Sequence, residues 1–404
     1  MNLESALERH FPFVRKGNLL NPPPEYSALR LDGPIQRVTL WNGQTAWLVT
    51  RWEDVREVLS SPHVSSDPDR RGYPSFSPGR TAHIKSRKTF INMDPPDHTL
   101  YRRMLTKEFT LKRMQELRPF VQDIVDQLLD DMLRKGPPAD IVTALARPLP
   151  ARVISVMLGV PYAHYADLQR WTETRNDLTS DPAEVLAAAE RMTDVLGGIL
   201  RGKEAQPGNG DDLLSRMAIE HINTGHLQHD EAVRMAIFLY MAGHSTTASQ
   251  TALGILSFLQ FPDQHAALLA NPSLLKGAIE EMLRFHTIAH FNAARVATAD
   301  LMIGGEKVQE GDGIFALLFA ANRDPAMFSN PDNFDISRQD NRHLAFSFGI
   351  HQCLGQPLAR LELEVVFDTI MKRLPKLRLA MPTEQLRFTE MAQVFSVDEL
   401  RLTW

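Results

Sequence analysis

One cysteine is the strongest candidate for chemistry in this chain. Cys353 is the only cysteine among 404 residues, and it lies between Gly349 and Gly355 with His351 two positions before it. A lone cysteine is most often a small buried hydrophobic residue. Here an apolar segment with helical spacing follows at once, and a sulfur at the start of a helix faces amide N–H groups that favour the thiolate. The segment therefore predicts a nucleophile or a metal ligand.

With a single cysteine, the chain cannot form a zinc site built from several thiolates. Structural zinc takes four protein ligands, and no CxxC pair can form here. A single thiolate suits an iron ion that a porphyrin already holds. The cysteine segment therefore favours haem iron over zinc.

The cysteine segment resembles a known signature. Residues 346–355 read FSFGIHQCLG, and LAR follows at 358–360. This pattern is similar to the haem-binding signature of the cytochromes P450, of the soluble bacterial type. The resemblance implies that the cofactor is haem b (iron protoporphyrin IX) and that Cys353 is its axial thiolate ligand.

Other motifs appear in the family's order and imply further haem contacts. The segment DPPDHTLYR (94–102) resembles the start of the third long helix, and a strand is implied at residue 295. Four side chains would hold the two haem propionates, namely His98, Arg102, Arg295 and His351. In the cysteine loop, the resemblance implies a ring packed by the sulfur and glycines that let the loop pass close to the porphyrin, namely Phe346, Gly349 and Gly355.

A glutamate and an arginine form an ExxR pair upstream of the cysteine. Glu281 and Arg284 would share a helix face, where such pairs are usually solvated and contribute a few tenths of a kcal/mol. The resemblance implies instead that they form the buried brace of the haem-binding core. Segments 321–325 and 330–335 resemble the meander that follows the brace.

A run of small and hydroxyl residues, AGHSTT (242–247), interrupts the longest apolar helix, predicted over 229–261. One interpretation is a notch for close packing, with hydroxyls bonded to carbonyls four residues earlier. The resemblance implies a catalytic role for Thr246 in proton delivery, with Gly243 beside it. Ser245 departs from the family's usual acid, and a hydroxyl is a weaker proton source than a carboxylic acid.

The remaining pattern predicts a mainly α fold with minor β, and the resemblance implies one cytochrome P450 domain over residues 1–404. The haem is expected between the long central helix and the helix after the cysteine, predicted over 354–374. A second helix is predicted over about 273–286. Short strands are predicted at 38–41 and 45–50, around an Asn-Gly turn, and at 301–303, 307–308 and 313–317.

Composition excludes several classes of protein. A formal net charge of -5 argues against a nucleic-acid binder, which needs a basic surface. One cysteine cannot form an intramolecular disulfide, so the cytoplasm is the expected location. No signal peptide is recognised, and the most apolar stretch, 235–243, is too short to span a bilayer.

The function implied by the resemblance is a haem-thiolate monooxygenase, which inserts one oxygen atom of O2 into a small apolar substrate. Ferredoxin and ferredoxin reductase are the expected electron donors to a monomeric enzyme, and basic residues that could receive an acidic ferredoxin are Arg103, Lys107, Lys112 and Arg113. A nitric oxide reductase that takes hydride directly from NAD(P)H is the enzyme alternative. A haem-based gas sensor is the non-enzyme alternative.

The substrate pocket can be outlined only from the family's layout. Its walls are expected to include the segment 166–180 and mostly apolar side chains, namely Phe238, Met241, Ala242, Ile288, Phe291 and Phe395, with polarity from His286, His290 and Asn292. The loop 61–97 carries an excess of cations and is either a solvated loop or a lid that attracts an anion. These cations are Arg70, Arg71, Arg80, Lys85, Arg87 and Lys88.

Overall fold

The computed structural model describes residues 11–13, 15, 20–77, 89–176, 180–291, 293–389 and 394–404. Helices dominate these ranges. In chain order they are α1 (Glu25–Asp32), α2 (Trp52–Ser60), α3 (Asp97–Thr106), α4 (Leu111–Lys135), α5 (Pro148–Leu158), α6 (Tyr165–Asn176), α7 (Pro182–Ala205), α8 (Leu213–Met217), α9 (His229–Gln260), α10 (Pro262–Ala270), α11 (Leu275–His286), α12 (Leu318–Ala321) and α13 (Gln356–Arg373). The mainly helical fold is as predicted.

The strands are short. They are β1 (Ile35–Thr39), β2 (Thr45–Val49), β3 (Val64–Ser65), β4 (Ala139–Asp140), β5 (Ala294–Ala297), β6 (Leu301–Ile303), β7 (Glu306–Val308), β8 (Gly313–Ala316), β9 (Arg378–Leu379) and β10 (Arg401–Thr403). One sheet has the order β1-β2-β8-β5-β3, in which only the β2–β8 pair is parallel. Smaller sheets join β4-β10-β9 and β6-β7.

The chain divides into two compact units. One comprises Met1–Tyr101 and Lys276–Leu354, and the other comprises Arg102–Leu275 and Gly355–Trp404. The first unit contains the five-stranded sheet and two apolar clusters. One of these clusters packs α2 against the sheet and the segment before the cysteine, and the other is aromatic. The single domain expected over residues 1–404 stays a prediction.

The long helix of the second unit begins and ends where its sequence requires. The Gln228 side chain and Glu231 form a reciprocal capping box at the start of α9, which satisfies two amide groups that the helix leaves unpaired. The helix ends at Gln260, just before Phe261 and Pro262, and a residue that precedes proline is disfavoured in helical geometry. The predicted span of 229–261 is therefore confirmed to within one residue.

Several predicted bounds shift. The first strand occupies Ile35–Thr39 instead of 38–41, because Leu40 already bonds to the turn through the carbonyl of Gln44. The helix after the cysteine begins at Gln356 instead of 354, with Gly355 as its N-cap. Within the predicted loop 61–97, the structure places β3 and a 3-10 turn, Phe90–Asn92.

Candidate active site

The cysteine loop is closed by backbone hydrogen bonds. Ser347 N donates to Leu344 O at 2.8 Å, and Cys353 N donates to Phe346 O at 2.8 Å. The Cys353 side chain is exposed, three residues before α13 begins. The loop therefore presents the only thiol of the chain on an ordered turn that leads directly into a helix.

The glycine at the tip of this loop meets protein backbone. Gly349 has a φ of +72°, and a Cβ placed there would lie 2.2 Å from the carbonyl oxygen of Leu59 on α2. Arg56 of the same helix lies over the Phe348 ring, 4.4 Å from its centroid. The resemblance assigned Gly349 to close approach of the porphyrin. The structure shows that the approach of α2 and the left-handed backbone by themselves require glycine.

One left-handed residue in the loop is not a glycine. Ser347 has a φ of +62°, a conformation that side chains with a Cβ adopt at a cost of about 1–2 kcal/mol. Sequence reasoning missed this position because a serine between two phenylalanines carries no turn signal. The loop therefore holds strained backbone six residues before the cysteine.

His98 and His351 lie together, and their contact with a haem propionate stays a prediction. Their ring centroids are 4.3 Å apart. His351 Nε2 lies 3.0 Å from Ser66 Oγ, and Ser66 N donates to Asp94 Oδ1 at 3.0 Å. Ser66 and Asp94 are therefore positioning residues for His351. Sequence reasoning missed Ser66, which only the fold brings beside the loop.

The two arginines implied to hold the propionates have different settings. Arg102 is half-buried, one turn after His98 on α3. Arg295 is 7% exposed on β5, and its Nη1 donates to the carbonyl of Ala294 at 2.8 Å. Burial lowers the pKa of Arg295, while Tyr73 and Asp94 act in the opposite direction. Among the described residues, no carboxylate lies within salt-bridge distance of Arg295.

The burial of Arg295 and the exposure of Cys353 show whether these residues fit a haem. A buried guanidinium without a paired carboxylate is costly unless an anion binds to it. A propionate is such an anion, and the exposed thiol of Cys353 is a suitable iron ligand. Phe346 lies half-buried in the same loop, with its ring centroid 6.2 Å from that of His343. The residues of this unit therefore fit the group.

Glu281 and Arg284 form a fully buried ion pair on α11. Arg284 donates through Nη2 to Glu281 Oε1 at 2.7 Å and through Nε to Glu281 Oε2 at 2.8 Å. The carboxylate also accepts bonds from Arg338 at 3.0 Å and Asn341 at 3.1 Å, and from the backbone N–H of Asp335 at 2.9 Å. Sequence reasoning missed Arg338, whose position in an irregular stretch gave no signal.

One stripe of α9 departs from the burial of the rest of the helix. Most of its residues are buried, while partly exposed side chains recur at spacings of three and four. Away from the two ends of the helix, they are Phe238, Met241, Ala242, Ser245 and Thr246. Residues so spaced share one helix face. The structure therefore places three expected pocket residues on the same face as the two hydroxyls.

The hydroxyls on this stripe bond to their own helix. Thr246 Oγ1 donates to Ala242 O at 2.6 Å, and Ser245 Oγ donates to Met241 O at 3.0 Å. Both bonds follow the back-bonding pattern that the sequence offered as the packing interpretation. Each oxygen keeps lone pairs that can accept a further hydrogen bond.

Gly243 borders the stripe, three residues before Thr246, whereas His244 lies on a buried side of α9. A Cβ at Gly243 would meet the Ile154 side chain of α5 at 3.2 Å, so this glycine serves close helix packing. His244 is buried, and burial lowers its pKa to about 4, while the backbone of Arg147 acts to raise it. The contact with Ile154 supports a packing role at Gly243, and its catalytic role stays a prediction.

The other expected pocket residues are dispersed. Ile288 is half-buried just after α11. Phe291 packs in the aromatic cluster, 4.9 Å from Phe76, and Phe395 is fully buried and stacks on Phe388 at 5.5 Å. The last two rings therefore have a core-packing role that the sequence did not predict. His286 and His290 are buried, whereas Asn292 and part of the segment 166–180 lie outside the described residues.

Some of the cationic residues that could contact a ferredoxin or an anion already pair with acids of this chain. Lys107 pairs with Glu220, and Arg113 pairs with Glu116 at 3.0 Å, whereas Arg103 and Lys112 are exposed. In the loop 61–97, Arg70 lies 3.5 Å from Asp94 and Arg71 is exposed. The other cations of that loop, Arg80, Lys85, Arg87 and Lys88, lie outside the described residues. No helix in the described ranges has the length and apolar character that crossing a membrane requires.

Comparisons with known proteins agree with this geometry. The family model described as Cytochrome P450 matches residues 30–202 and 199–396. Vitamin D3 dihydroxylase from Streptomyces griseolus is 42% identical over 95% of this chain and 94% of its own length. The crystal structure of GfsF, a cytochrome P450 of Streptomyces halstedii, has a TM-score of 0.93 and 38% identity, covering 98% of this chain and 100% of that one.

A further solved structure is that of mycinamicin VIII C21 methyl hydroxylase MycCI from Micromonospora griseorubida, bound to mycinamicin VIII. Its TM-score is 0.91 with 36% identity, and it covers 98% of this chain and 100% of that one. Two of these three proteins are named as hydroxylases, and the relatives support the monooxygenase prediction against the nitric oxide reductase alternative. The chain therefore belongs to the cytochrome P450 family, and it is a haem-thiolate monooxygenase whose cofactor is haem b.

Proposed function

We propose that this cytochrome P450 hydroxylates or epoxidises a predominantly apolar natural product, with Cys353 as the axial thiolate. The observation that carries the proposal is the accessible stripe of α9. Its apolar side chains, Phe238, Met241 and Ala242, share a helix face with the hydroxyls of Ser245 and Thr246. Such a face can contact an apolar substrate and supply hydrogen bonds where oxygen is activated.

The proximal residues hold the cofactor in this proposal. Haem b, when bound through a thiolate, supplies the chemistry that cleaves O2 and inserts one oxygen atom into a C–H or C=C bond. Cys353 supplies that thiolate, and Phe346 packs near it. His98, Arg102, Arg295 and His351 bind the propionates as charged or neutral donors.

Proton delivery in this chain has to use hydroxyls and water. Thr246 must release its 2.6 Å bond to Ala242 O before it can donate elsewhere. Ser245 cannot replace a carboxylic acid as proton source, because a hydroxyl does not ionise near pH 7. His244 is not a substitute, since burial keeps its ring neutral and it lies off the accessible stripe. Product formed per NAD(P)H consumed should therefore depend on substrate groups that organise water.

Members of this family receive electrons from redox partners. We propose a separate ferredoxin and ferredoxin reductase, and exposed Arg103 and Lys112 are available to an acidic ferredoxin. Lys107 and Arg113 are poorer candidates because each already pairs with a glutamate of this chain. The monomeric state and cytoplasmic location stay predictions.

A binding screen tests the substrate class. Purified haem-loaded protein is titrated with apolar natural products, including vitamin D3 and mycinamicin VIII, which appear in the names of relatives, and the spin-state shift of the haem spectrum is recorded. Apolar compounds should give saturable shifts that Phe238→Ala weakens. Saturable shifts only with small anions would contradict the proposal.

Spectra of the reduced carbonyl complex test the ligand. Cys353→His should retain some haem and lose the long-wavelength band that a thiolate ligand produces. The control His351→Gln keeps the cysteine and should keep the band, with weaker haem retention. A Cys353→His protein that retains the band would overturn the assignment.

Turnover with ferredoxin, reductase and NAD(P)H tests the distal hydroxyls. Thr246→Ala should lower product per NAD(P)H and release more peroxide, while Ser245→Glu should hold or raise that ratio. Thr247→Ala is the matched control, because Thr247 is buried and lies off the accessible stripe. Unchanged coupling in Thr246→Ala, together with nitric oxide consumption by the parent from NADH alone, would favour the reductase alternative.

A further inference from the structure

One buried amide connects the brace to the cysteine loop. Asn322 follows α12 and is fully buried. Its Nδ2 donates to Thr287 Oγ1 at 2.7 Å, and its Oδ1 accepts from Leu344 N at 2.7 Å. Its backbone carbonyl accepts from Arg284 Nη1 at 2.8 Å. Asn322 therefore bonds to the end of α11, to the brace arginine and to the segment that leads to the cysteine.

Leu344 is the point where the loop begins to be fixed. Its side chain lies in the apolar cluster around α2, and its carbonyl accepts from Ser347 N. The next closure, from Cys353 N to Phe346 O, begins two residues later. A displacement of the Leu344 backbone would therefore move the start of the turn that carries the thiol.

Thr287, which accepts the hydrogen bond from the Asn322 side chain, has a strained backbone. Thr287 has a φ of +38°, which is unusual for a β-branched residue. Its hydroxyl donates to Arg284 O at 2.8 Å and accepts the bond from Asn322. Backbone strain of this kind persists only where the surrounding bonds fix the geometry. The hydroxyl of Thr287 thus gives Asn322 a rigid anchor.

We infer that Asn322 is a positioning residue for the cysteine loop, coupling the geometry of the thiolate to the Glu281–Arg284 brace. It donates to the fixed end of α11 and accepts from Leu344, so it holds the loop at a set distance from that helix. The inference rests on the proposed role of Cys353 for its effect on the haem, whereas its effect on the loop holds without that role.

Hydrogen exchange of the haem-loaded protein tests the effect on the loop. Asn322→Ala leaves Leu344 N–H buried without its acceptor, and the amides of segment 344–353 should exchange about 10-fold faster. Asn322→Asp keeps an acceptor for Leu344 N–H but loses the donor to Thr287, so its exchange should lie between that of the parent and that of Asn322→Ala. The control Thr369→Val removes a buried hydroxyl that bonds to Gln122 in the other unit, and should leave this segment unchanged.

A uniform rise in exchange throughout the unit, or none in segment 344–353, would overturn the inference. If Asn322→Ala does not fold, Thr287→Val replaces it, with Thr287→Ser as the variant that keeps the hydroxyl. Exchange in segment 344–353 should then rise for valine alone, and equal exchange in the two variants would also overturn the inference.

Spectra of the loaded protein test the effect on the thiolate. Asn322→Ala should convert about half or more of the reduced carbonyl complex to the form without the long-wavelength band, and Asn322→Asp, which keeps one of the two bonds, should convert less of it. Spectra equal to the parent's, despite faster exchange, would refute the coupling. If Cys353 were not the iron ligand, Cys353→His would keep the long-wavelength band. The exchange results for Asn322 would still test its effect on the loop, so the two failures can be told apart.

Discussion

Replacement of Arg284 by alanine removes the centre of the buried brace. The side chain is fully buried, and it donates to both carboxylate oxygens of Glu281. It also donates to three backbone carbonyls at 2.8, 2.8 and 3.0 Å, namely those of Asn322, Pro331 and Asn333. The variant Arg284→Ala therefore leaves a buried carboxylate and three carbonyls without their main donor.

The size of the loss follows from the burial of the partner. Removing one member of a buried ion pair costs about 3–5 kcal/mol, because the other charge stays buried. Arg338, at 3.0 Å, still offsets part of the Glu281 charge, but it is a single cation where the parent has two. Total stabilities of native proteins are about 5–15 kcal/mol, so the variant should lose a large share of its free energy of unfolding.

Urea denaturation and haem content measure this loss. Arg284→Ala should give little soluble, haem-loaded protein, and what folds should unfold at a much lower urea concentration. Arg284→Lys keeps the charge but not the planar fork, and should fall between alanine and the parent. The control Arg342→Ala removes an exposed arginine paired with Asp340, and should leave the midpoint unchanged. Parent-like midpoint and haem content in Arg284→Ala would refute the reasoning.

Three further predictions concern single groups. Burial depresses the pKa of His244 from 6.5 to about 4. The parent should therefore lose about 3 kcal/mol of its free energy of unfolding, relative to His244→Phe, as pH falls from 6.5 to 4. Urea midpoints measured across that range test this, and a constant difference between the two proteins would contradict it. Burial raises the pKa of Glu362 well above 4.5, so this side chain destabilises the folded protein increasingly as pH rises above 4.5. Glu362→Gln should therefore raise the free energy of unfolding more at pH 8 than at pH 5, and an equal increase at both pH values would contradict this. Ser347 has a left-handed backbone conformation, which glycine adopts without strain. Ser347→Gly should therefore raise the free energy of unfolding by up to about 1 kcal/mol and leave the thiolate band unchanged. A loss of stability would show that the serine is not strained.

The sequence by itself predicted the chemistry of the proximal side. Residue types and spacing around Cys353 indicated an iron ligand, and the resemblance named Glu281, Arg284, His98 and His351. These residues lie on short motifs, whose spacing along the chain is enough to identify them. The long helix over 229–261 was equally readable, because its apolar run and its stop before proline are local signals.

Tertiary structure decided which of these residues face each other and which serve packing. Ser66 and Asp94 come beside the loop only through the fold, and Arg338 completes the brace from an irregular segment. The sequence left packing and catalytic interpretations open at Gly243, and the side chain of Ile154 on α5 favours packing. The physical reason is that a motif fixes residue types along one segment, whereas burial and partners depend on segments that are distant in the chain.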